Sequence, residues 1–291
     1  MKPSKNILFL LNPISGIGEK GDVPDLVKQY LTDHKHELRF TAYRKHGEEI
    51  ANAEKKNFDA IVAIGGDGTV NEIAGALANS DCALGVIPAG SGNGLARHLK
   101  IPLNIKSAIE RINSFEPSLY DTGTVNKRFF AGTCGFGFDA YIAELFDKYP
   151  KRGFLSYAKL IAREYAKYQP LNFNVEIEGQ QIQESALICA VANSSQFGNG
   201  FTISPDSKMD DQLFEMVMIK KFPFINTMAI GTRFFTQSIN ASKHFNSTTF
   251  NKTISVAVEN QDKHYFHLDG EPLLGNGHYE IQLNAANLKI L

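Results

Sequence analysis

The chain has 291 residues, of which 43% are hydrophobic and 21% charged, and its formal net charge is −1. This composition is typical of a soluble globular protein, and the length favours two domains over one. A charge so close to zero argues against a nucleic-acid-binding protein, which would usually be markedly basic. The cysteines lie far apart without metal-binding spacing, which predicts free, buried thiols in a reducing compartment; they are Cys82, Cys134 and Cys189.

The N-terminal segment and the apolar runs predict a cytoplasmic protein. Residues 1–5 lead directly into a short strand and contain no apolar signal-peptide core. No apolar run approaches the roughly 20 residues that a membrane-spanning helix needs.

The first third of the chain alternates between strand and helix patterns. Short apolar runs predict strands at 6–11, 38–43, 60–64 and 83–87, with helices at 25–33, 48–56, 70–79, 94–99 and 105–113. This alternation predicts a parallel sheet with helices on both faces, a three-layer α/β domain. In such sheets ligands bind at the carboxyl ends of the strands.

From about residue 122 strand patterns dominate, and many alternate apolar and polar residues as antiparallel strands do. The predicted strands are 128–134, 172–178, 185–192, 214–219, 253–258, 264–268 and 279–283, with helices at 154–168 and 223–238. We expect an α/β domain over 1–123 and a β-rich domain over 124–287. A final strand, 288–291, is expected to return to the first domain.

Residues 65–72 carry the strongest signal in the chain. They read Gly-Gly-Asp-Gly-Thr-Val-Asn-Glu, so a buried strand is expected to lead through a glycine turn into a helix. The bare backbone and the helix N-terminus would let phosphate oxygens approach amide N–H groups. Asp67 adds a carboxylate to this anion site, which indicates either a bridging cation or a reacting hydroxyl that the carboxylate orients. The alternative is a plain tight turn, although one glycine would suffice for it.

Two further loops follow strand ends and are expected at the same edge of the sheet. Residues 88–93 read Pro-Ala-Gly-Ser-Gly-Asn, where Ser91 and Asn93 could bind a nucleotide. Residues 12–16 read Asn-Pro-Ile-Ser-Gly, a sequence that is equally typical of an ordinary turn. No loop matches the G-x-x-x-x-G-K-[ST] phosphate loop or the G-x-G-x-x-G dinucleotide fingerprint, so these two kinds of site are excluded.

In chain order, the three loops resemble those of the diacylglycerol kinase catalytic domain, whose superfamily includes sphingosine and ceramide kinases and bacterial soluble lipid kinases. The resemblance continues with Asp121-Thr-Gly123, Gly135-Phe-Gly-Phe-Asp139, residues 205–213 and Asp269-Gly-Glu-Pro272. It implies a nucleotide-binding α/β domain and an antiparallel β-sandwich-like domain, with the active site in the cleft between them. It also implies ATP and Mg²⁺ as cofactors and a lipid as the substrate.

The resemblance implies roles for individual residues. Glu271 matches the proposed proton acceptor for the lipid hydroxyl, and Asp67 would serve the magnesium–phosphate chemistry. From the residues alone, Glu271 would also be explained as a carboxylate in a hairpin turn. The residues implied to bind the nucleotide are Asn12, Thr41, Gly65, Gly66, Asp67, Gly68, Thr69, Val70, Asn71 and Ser91.

In bacterial lipid kinases, the loop that matches residues 205–213 holds a structural magnesium. The ligands implied here are the Asp211 carboxylate and the backbone carbonyls of Lys208 and Leu213. Oxygen-only ligation suits magnesium. Gln212 stands where the family usually has glycine, so a positive φ at this position would strain the loop.

The predicted helix 154–168 and the residues before it are basic. Such an amphipathic helix can lie on an anionic membrane, although the pattern is also typical of a solvated face above a packed core. We expect transient peripheral membrane contact and no nucleic-acid partner, and the oligomeric state stays open. The basic residues are Lys151, Arg152, Lys159, Arg163 and Lys167.

Three functions are compatible with the sequence. The leading prediction is ATP-dependent phosphorylation of a lipid hydroxyl, such as that of diacylglycerol or a related glycerolipid or sphingoid lipid. Kinases of soluble molecules, such as NAD kinases, share a Gly-Gly-Asp motif but lack the C-terminal motifs. A nucleotide-binding regulator without turnover is suggested only by Gln212 and by Gly94, where diacylglycerol kinases carry Asp.

Overall fold

The computed structural model describes residues 3–13, 22–148, 154–259 and 263–291. The chain divides into two compact units, Met1–Asp121 with Ala285–Leu291, and Thr122–Asn284. The sequence placed these divisions after residues 123 and 287. Among the described helices, none has the length and apolar character needed to cross a membrane.

The first unit is a parallel β-sheet with helices packed on it, which confirms the predicted α/β fold class. Its elements are β1 (Asn6–Leu11), α1 (Val23–Tyr30), β2 (Lys35–Phe40), α2 (His46–Glu54), β3 (Ala60–Gly65), α3 (Asp67–Leu77), β4 (Ala83–Pro88), α4 (Gly94–His98) and α5 (Ile105–Ser114). The strand order is β2-β1-β3-β4, and every pair is parallel.

The central strands are continuous apolar runs because both faces of this sheet are covered. On one face Phe9 and Val62 pack with Val27 of α1 and Ile109 of α5 in one hydrophobic cluster. The alternate side chains point to the opposite face, where α3 lies over β3 and β4. All six residues of β3 and of β4 are buried. The rigid centre of the sheet therefore positions the loops that follow these two strands.

The second part of the chain forms two antiparallel sheets, as predicted for a β-sandwich-like domain. Its elements are β5 (Ser118–Val125), β6 (Arg128–Phe130), β7 (Thr133–Gly137), α6 (Phe138–Asp147), α7 (Phe154–Tyr165), β8 (Leu171–Ile177), β9 (Gln180–Ala186), β10 (Ile188–Ala192), β11 (Gln196–Gly198), β12 (Phe201–Thr202), β13 (Phe214–Ile219), α8 (Thr227–Phe235), β14 (Phe245–Phe250), β15 (Ile254–Glu259), β16 (His264–Leu268), β17 (Glu271–Gly275) and β18 (His278–Ile290).

One sheet has the order β14-β13-β10-β7-β16-β17 and the other pairs β18, β15, β8 and β9. Phe136 and Met216 of the first sheet share one hydrophobic cluster with Phe173 and Val256 of the second. The core of this unit therefore lies between its two sheets. The predicted free, buried state of the three cysteines is confirmed, since all are buried and unbridged.

Several element boundaries differ from the sequence prediction. The predicted strands 279–283 and 288–291 are parts of the single strand β18, whose Ile290 pairs in parallel with Leu84 of β4. The predicted helix 223–238 is a 3-10 turn, Phe224–Asn226, followed by the shorter α8. Helix α6 was missed, because its start follows directly from the glycine-rich strand β7.

Candidate active site

The junction of β3 and α3 carries the glycine motif that the sequence predicts to bind phosphate. Gly65 ends β3, Gly66 is extended with φ −91°, and α3 begins at Asp67. The Val70 N–H donates to the Gly66 carbonyl at 3.1 Å. The helix therefore starts three residues before the predicted position, so residues 67–71 form its first turn and place their N–H groups at its positive end.

Glycine occupies positions at and near this junction for two different physical reasons. A Cβ on Gly65 would lie 2.6 Å from Thr69 Oγ1, and one on Gly90 would lie 2.4 Å from Gly66 Cα. These glycines are therefore required by the packing of the loops on themselves. A Cβ on Gly68 would meet no atom within 4 Å, so this exposed position is the one where a ligand can approach bare backbone.

The Asp67 carboxylate joins the first glycine loop to the second. Its Oδ2 accepts the Asn93 N–H at 2.8 Å, and its Oδ1 accepts the Gly94 N–H at 2.7 Å. Asp67 therefore holds the start of α4, in addition to any chemical role. The sequence did not predict this contact, because residues 67 and 93 are separated by a helix and a strand.

Asn93 stabilises its own loop. It has a left-handed φ of 52°. Its Nδ2 donates to the Gly90 carbonyl at 2.8 Å, and its Oδ1 accepts the Gly90 N–H at 3.0 Å. Both ends of the side-chain amide are thus used inside the loop, whereas the sequence suggested that this amide binds a nucleotide. Ser91, between these residues, is exposed.

The ends of β1 and β2 lie beside the same junction. Asn12 Nδ2 donates to Thr69 Oγ1 at 3.0 Å, and the Asn12 N–H donates to the Ile64 carbonyl at 3.1 Å. The Thr41 N–H donates to the Leu11 carbonyl at 2.9 Å, and the Thr41 side chain is buried. The described loops after β1, β3 and β4 thus meet at the carboxyl edge of the sheet. Residues 14–16 of the predicted third loop lie outside the described residues.

Two other residues of the motif differ in accessibility. The Val70 side chain is buried and not accessible to a ligand, whereas Asn71 is partly exposed. Glu72 accepts the Lys45 N–H at 2.8 Å, and Lys45 has a left-handed φ of 69° at the start of α2. Burial raises the pKa of Glu72, against the opposing effect of the bond from Lys45.

Glu271 begins β17 in the second unit and faces Leu268 across a hairpin. The two turn residues, Asp269 and Gly270, have φ of 48° and 83°, as a two-residue hairpin turn of type I′ requires. The Glu271 side chain is half-buried. The hairpin inferred as the alternative explanation is therefore present. It also fixes the backbone position from which the Glu271 side chain projects.

The Asp269 carboxylate binds the turn to the start of β7. It accepts three backbone N–H groups, from Ala131 at 2.7 Å and from Gly132 and Thr133 at 2.8 Å each. The Asp269 N–H in return donates to the Thr133 carbonyl at 2.8 Å. This contact joins residues about 140 positions apart, so the sequence pattern gave no signal for it.

A buried pair, His267 and Asp139, supports the same turn. The Gly270 N–H donates to His267 Nδ1 at 3.2 Å, so Nε2 carries the ring hydrogen and donates to Asp139 Oδ2 at 3.0 Å. Asp139 Oδ1 has no hydrogen-bond partner among the described residues. A Cβ on Gly135 would lie 2.1 Å from Asp139 Oδ2, so only glycine leaves room for the pair.

The loop implied to hold magnesium contains the left-handed residue anticipated from the sequence. Gln212 has φ of 61°, at a cost of about 1–2 kcal/mol relative to glycine, and Asp211 Oδ1 accepts the Leu213 N–H at 3.1 Å. The base of the loop is fixed by the buried Glu215, whose carboxylate accepts the hydroxyl of Ser204. Ser207 donates in turn to Ser204 Oγ at 2.7 Å.

The chemistry of the implied donors agrees with magnesium, since one carboxylate and two backbone carbonyls supply only oxygen atoms. Within the described ranges, no group of three or more His, Cys, Asp or Glu side chains could hold a metal. A magnesium in this loop would therefore depend on the carbonyls of Lys208 and Leu213 as much as on Asp211.

Comparison with known families defines the class of protein. Residues 6–125 match the diacylglycerol kinase catalytic domain, and residues 132–291 match the YegS C-terminal NAD kinase beta sandwich-like domain. The two matches follow one another along the chain, in the order of the α/β and β-sandwich-like parts. The chain therefore belongs to the diacylglycerol kinase family.

Curated relatives and solved structures agree with this assignment. The chain is 30% identical to a diacylglycerol kinase of Bacillus subtilis strain 168, over 75% of this chain and 73% of the relative. It is 28% identical to one of Staphylococcus aureus strain MRSA252, over 75% and 71%. The crystal structure of a diacylglycerol kinase from Bacillus anthracis strain Sterne matches 100% of this chain and 97% of its own, with a TM-score of 0.75 and 19% identity. A second structure from that organism, with the same coverage, has a TM-score of 0.81 and 21% identity. The sequence relatives support a lipid kinase family, and the structures show the shared fold.

Proposed function

We propose that the protein transfers the γ-phosphoryl group of ATP to a hydroxyl of a lipid, such as diacylglycerol or a related glycerolipid or sphingoid lipid. The observation that carries this proposal is the open N-terminal turn of α3. Its N–H groups and positive helix end favour phosphate, and the missing side chain of Gly68 leaves space for phosphate oxygens.

The nucleotide would be held by the carboxyl edge of the first unit. The backbone of residues 65–71 would bind its phosphates, with Thr69 oriented by Asn12. Ser91 and Thr41 would contact the rest of the nucleotide from the neighbouring loop and strand. Magnesium, when bound, would neutralise charge on the phosphates. Asp67 is proposed to serve it, because its carboxylate lies at the first turn of α3, where the two glycine loops meet.

Glu271 would act as the proton acceptor for the lipid hydroxyl. As the hydroxyl oxygen bonds to the γ-phosphorus, its proton passes to the Glu271 carboxylate and the bond to the ADP oxygen breaks. This role needs a fixed carboxylate, and the contacts of Asp269 and His267 hold the turn from which Glu271 projects. Asp211, with the Lys208 and Leu213 carbonyls, is proposed to hold a structural magnesium.

Transfer of label from γ-phosphate-labelled ATP to lipids tests the proposal. The acceptor panel contains diacylglycerol, monoacylglycerol, phosphatidylglycerol, sphingosine and ceramide. We expect wild type to label at least one lipid and Glu271→Gln to lower kcat about 10²–10⁴-fold. The matched control is Glu176→Gln on the exposed face of β8, which should leave kcat unchanged.

Gly68→Val tests the nucleotide site separately. Its side chain would enter space that no protein atom occupies, so the fold should survive while the KM for ATP rises. Equal labelling by wild type and Glu271→Gln would contradict the assignment of the base. Label that stays in the aqueous phase would instead favour a soluble substrate. ATP binding by calorimetry without turnover on any lipid would favour a regulator.

A further inference from the structure

Large apolar side chains are concentrated on the surface around α8. Ten large hydrophobic residues are exposed in the described part of the chain, and four of them lie within residues 224–235. Two of these are the most exposed of all, with Ile225 at 88% and Met228 at 82%. We call this set the apolar ridge; it consists of Phe224, Ile225, Met228 and Phe235. Scattered surface apolar residues are ordinary, whereas a cluster of this kind usually marks an interaction site.

The core of the second unit does not account for the apolar ridge. Helix α8 already packs Ile230 and Phe234 into the interior, and the Phe234 ring stacks on Phe201 with centroids 4.1 Å apart. Phe224 and Ile225 lie in the turn just before α8, and Met228 lies on α8 itself. The Phe235 ring contacts Phe201 with centroids 5.8 Å apart, yet 45% of this side chain stays exposed. A surface helix usually has one apolar face and one polar face. Exposed apolar side chains beside such a helix form a surface on which another apolar medium can pack.

The sequence around the apolar ridge has only one sign of charge. From residue 216 to residue 258 there is no Asp or Glu, and there are five Lys or Arg residues: Lys220, Lys221, Arg233, Lys243 and Lys252. Lys220 and Lys252 form ion pairs with Glu184 and Glu178. Lys221 and Arg233 instead donate to neutral backbone carbonyls, of Tyr168 and Ser238. Among the described residues neither forms an ion pair with a carboxylate, so their positive charge can interact with an anionic partner.

The apolar ridge is held in place by the neighbouring helix α7. Tyr165 is buried; its hydroxyl donates to the Phe222 carbonyl at 2.7 Å and accepts the Phe222 N–H at 3.2 Å. The Tyr165 ring also contacts Phe224, with centroids 6.4 Å apart. The exposed side chains therefore project from an ordered turn. Helix α7 and the residues just after it also carry three exposed basic side chains, Lys159, Arg163 and Lys167.

We propose that the apolar ridge inserts into the interfacial layer of a membrane that contains anionic lipid, with Lys221 and Arg233 beside it. Exposed apolar side chains next to cations that make no ion pair with a described carboxylate are a combination that binds such a surface. A protein partner or a second copy would have to match both features with acidic, apolar surface. An anionic membrane offers both negative charge and an apolar layer, and its surface needs no complementary shape. This attachment does not depend on which reaction the protein catalyses.

The absence of tryptophan from the chain allows a direct test. Ile225→Trp places a single indole at the most exposed point of the apolar ridge, and Leu119→Trp places one at an exposed position in the first unit. The probes are vesicles of phosphatidylcholine with phosphatidylglycerol, and vesicles of phosphatidylcholine alone. We expect the emission of Ile225→Trp to shift to the blue with anionic vesicles and to be quenched by brominated acyl chains. Leu119→Trp should show neither change.

Sedimentation with the same vesicles measures the contribution of the ridge to binding. Ile225→Ser with Met228→Ser should weaken binding at least about tenfold, and added salt should weaken the binding of wild type. The matched control, Leu103→Ser with Leu119→Ser, removes two exposed apolar side chains elsewhere and should bind as wild type does. Unchanged Ile225→Trp emission with anionic vesicles would overturn the proposal. It would also be overturned if the ridge variant bound vesicles normally but lost a dimer seen by sedimentation, which would identify a second copy as the occupant.

Discussion

The Asp269→Asn substitution tests the account of the turn before Glu271. Asparagine is an almost isosteric replacement and tolerates the left-handed φ of 48° observed at this position, so the backbone itself is not strained. What changes is the acceptor, because one carboxylate oxygen becomes an NH₂ group and the charge is lost. The Ala131 N–H and the N–H groups of Gly132 and Thr133 use different oxygens of Asp269. At least one of these N–H groups must therefore lose its partner.

The magnitude follows from the contacts that are lost. All three donors lie on buried residues. A hydrogen bond to a charged group contributes about 1.5–3 kcal/mol, and a buried donor left without a partner costs about 1–3 kcal/mol. We expect Asp269→Asn to lower the free energy of unfolding by about 2–3 kcal/mol. Asp269→Ala removes all three bonds and places alanine at a left-handed φ, so a larger loss is expected, about 4 kcal/mol or more.

Urea unfolding followed by far-ultraviolet circular dichroism measures this change, and the phosphotransfer assay measures its effect on Glu271. The matched control is Asp147→Asn, which changes an exposed aspartate in the same unit, outside the loop proposed to hold magnesium. If Asp269→Asn unfolds within about 0.5 kcal/mol of wild type, a range typical of plain surface substitutions, the three bonds do not hold the turn. The reasoning about Glu271 would then fail with it.

Four further predictions concern stability, pH and thiol chemistry. Gly135→Ala should lower the free energy of unfolding by about 1–3 kcal/mol, because its Cβ would displace the Asp139 carboxylate; thermal unfolding measures this. Gly231→Ala on α8 should leave stability unchanged or raise it by up to about 1 kcal/mol, since its Cβ would meet nothing within 4 Å, and a loss would show that the helix packs differently. Burial raises the pKa of Glu72 above its ordinary value of 4.5, so its native form binds a proton more readily than its unfolded form. The contribution of Glu72 to the free energy of unfolding should therefore fall as pH rises from 4.5 through the pKa of the native state. Glu72→Gln should flatten this part of the plot of stability against pH. An unchanged plot would contradict the burial argument. Burial also raises the pKa of every cysteine thiol, so a thiol-reactive dye should label none of them in the native protein and all three after unfolding: Cys82, Cys134 and Cys189. Rapid labelling of the native protein would show that at least one thiol is accessible.

The parts of the fold that the sequence predicted best are those where burial leaves little choice of residue. The central strands β1, β3 and β4 were located to within one residue, because each is a continuous apolar run. Strand β2 lies at the edge of its sheet, and most of its residues are polar or exposed. Its predicted range, 38–43, was therefore displaced by three residues from Lys35–Phe40.

The candidate site shows a similar division. The glycine loops could be found from the sequence, because local spacing encodes a strand, a turn and a helix. The contacts made by Asp67 and Asp269 could not be found in this way. Each carboxylate binds backbone N–H groups far away in the sequence, and almost every residue type has such a group. Sequence patterns indicate which side chains can react, whereas the acceptors that hold loops together become visible only in three dimensions.

Strand β18 also has a consequence for the order of folding. Its Ile290 pairs with Leu84, and the Leu291 N–H donates to the Leu84 carbonyl at 2.9 Å. The sheet of the first unit is therefore completed by a C-terminal segment, which is synthesised some 160 residues after the rest of that unit. Because domains generally fold from the N-terminus during synthesis, this edge of β4 stays unpaired until the second unit has been synthesised. Closure of the parallel sheet of the first unit would thus be a late event, and an unfinished chain would expose the edge on which pairing with other chains can begin.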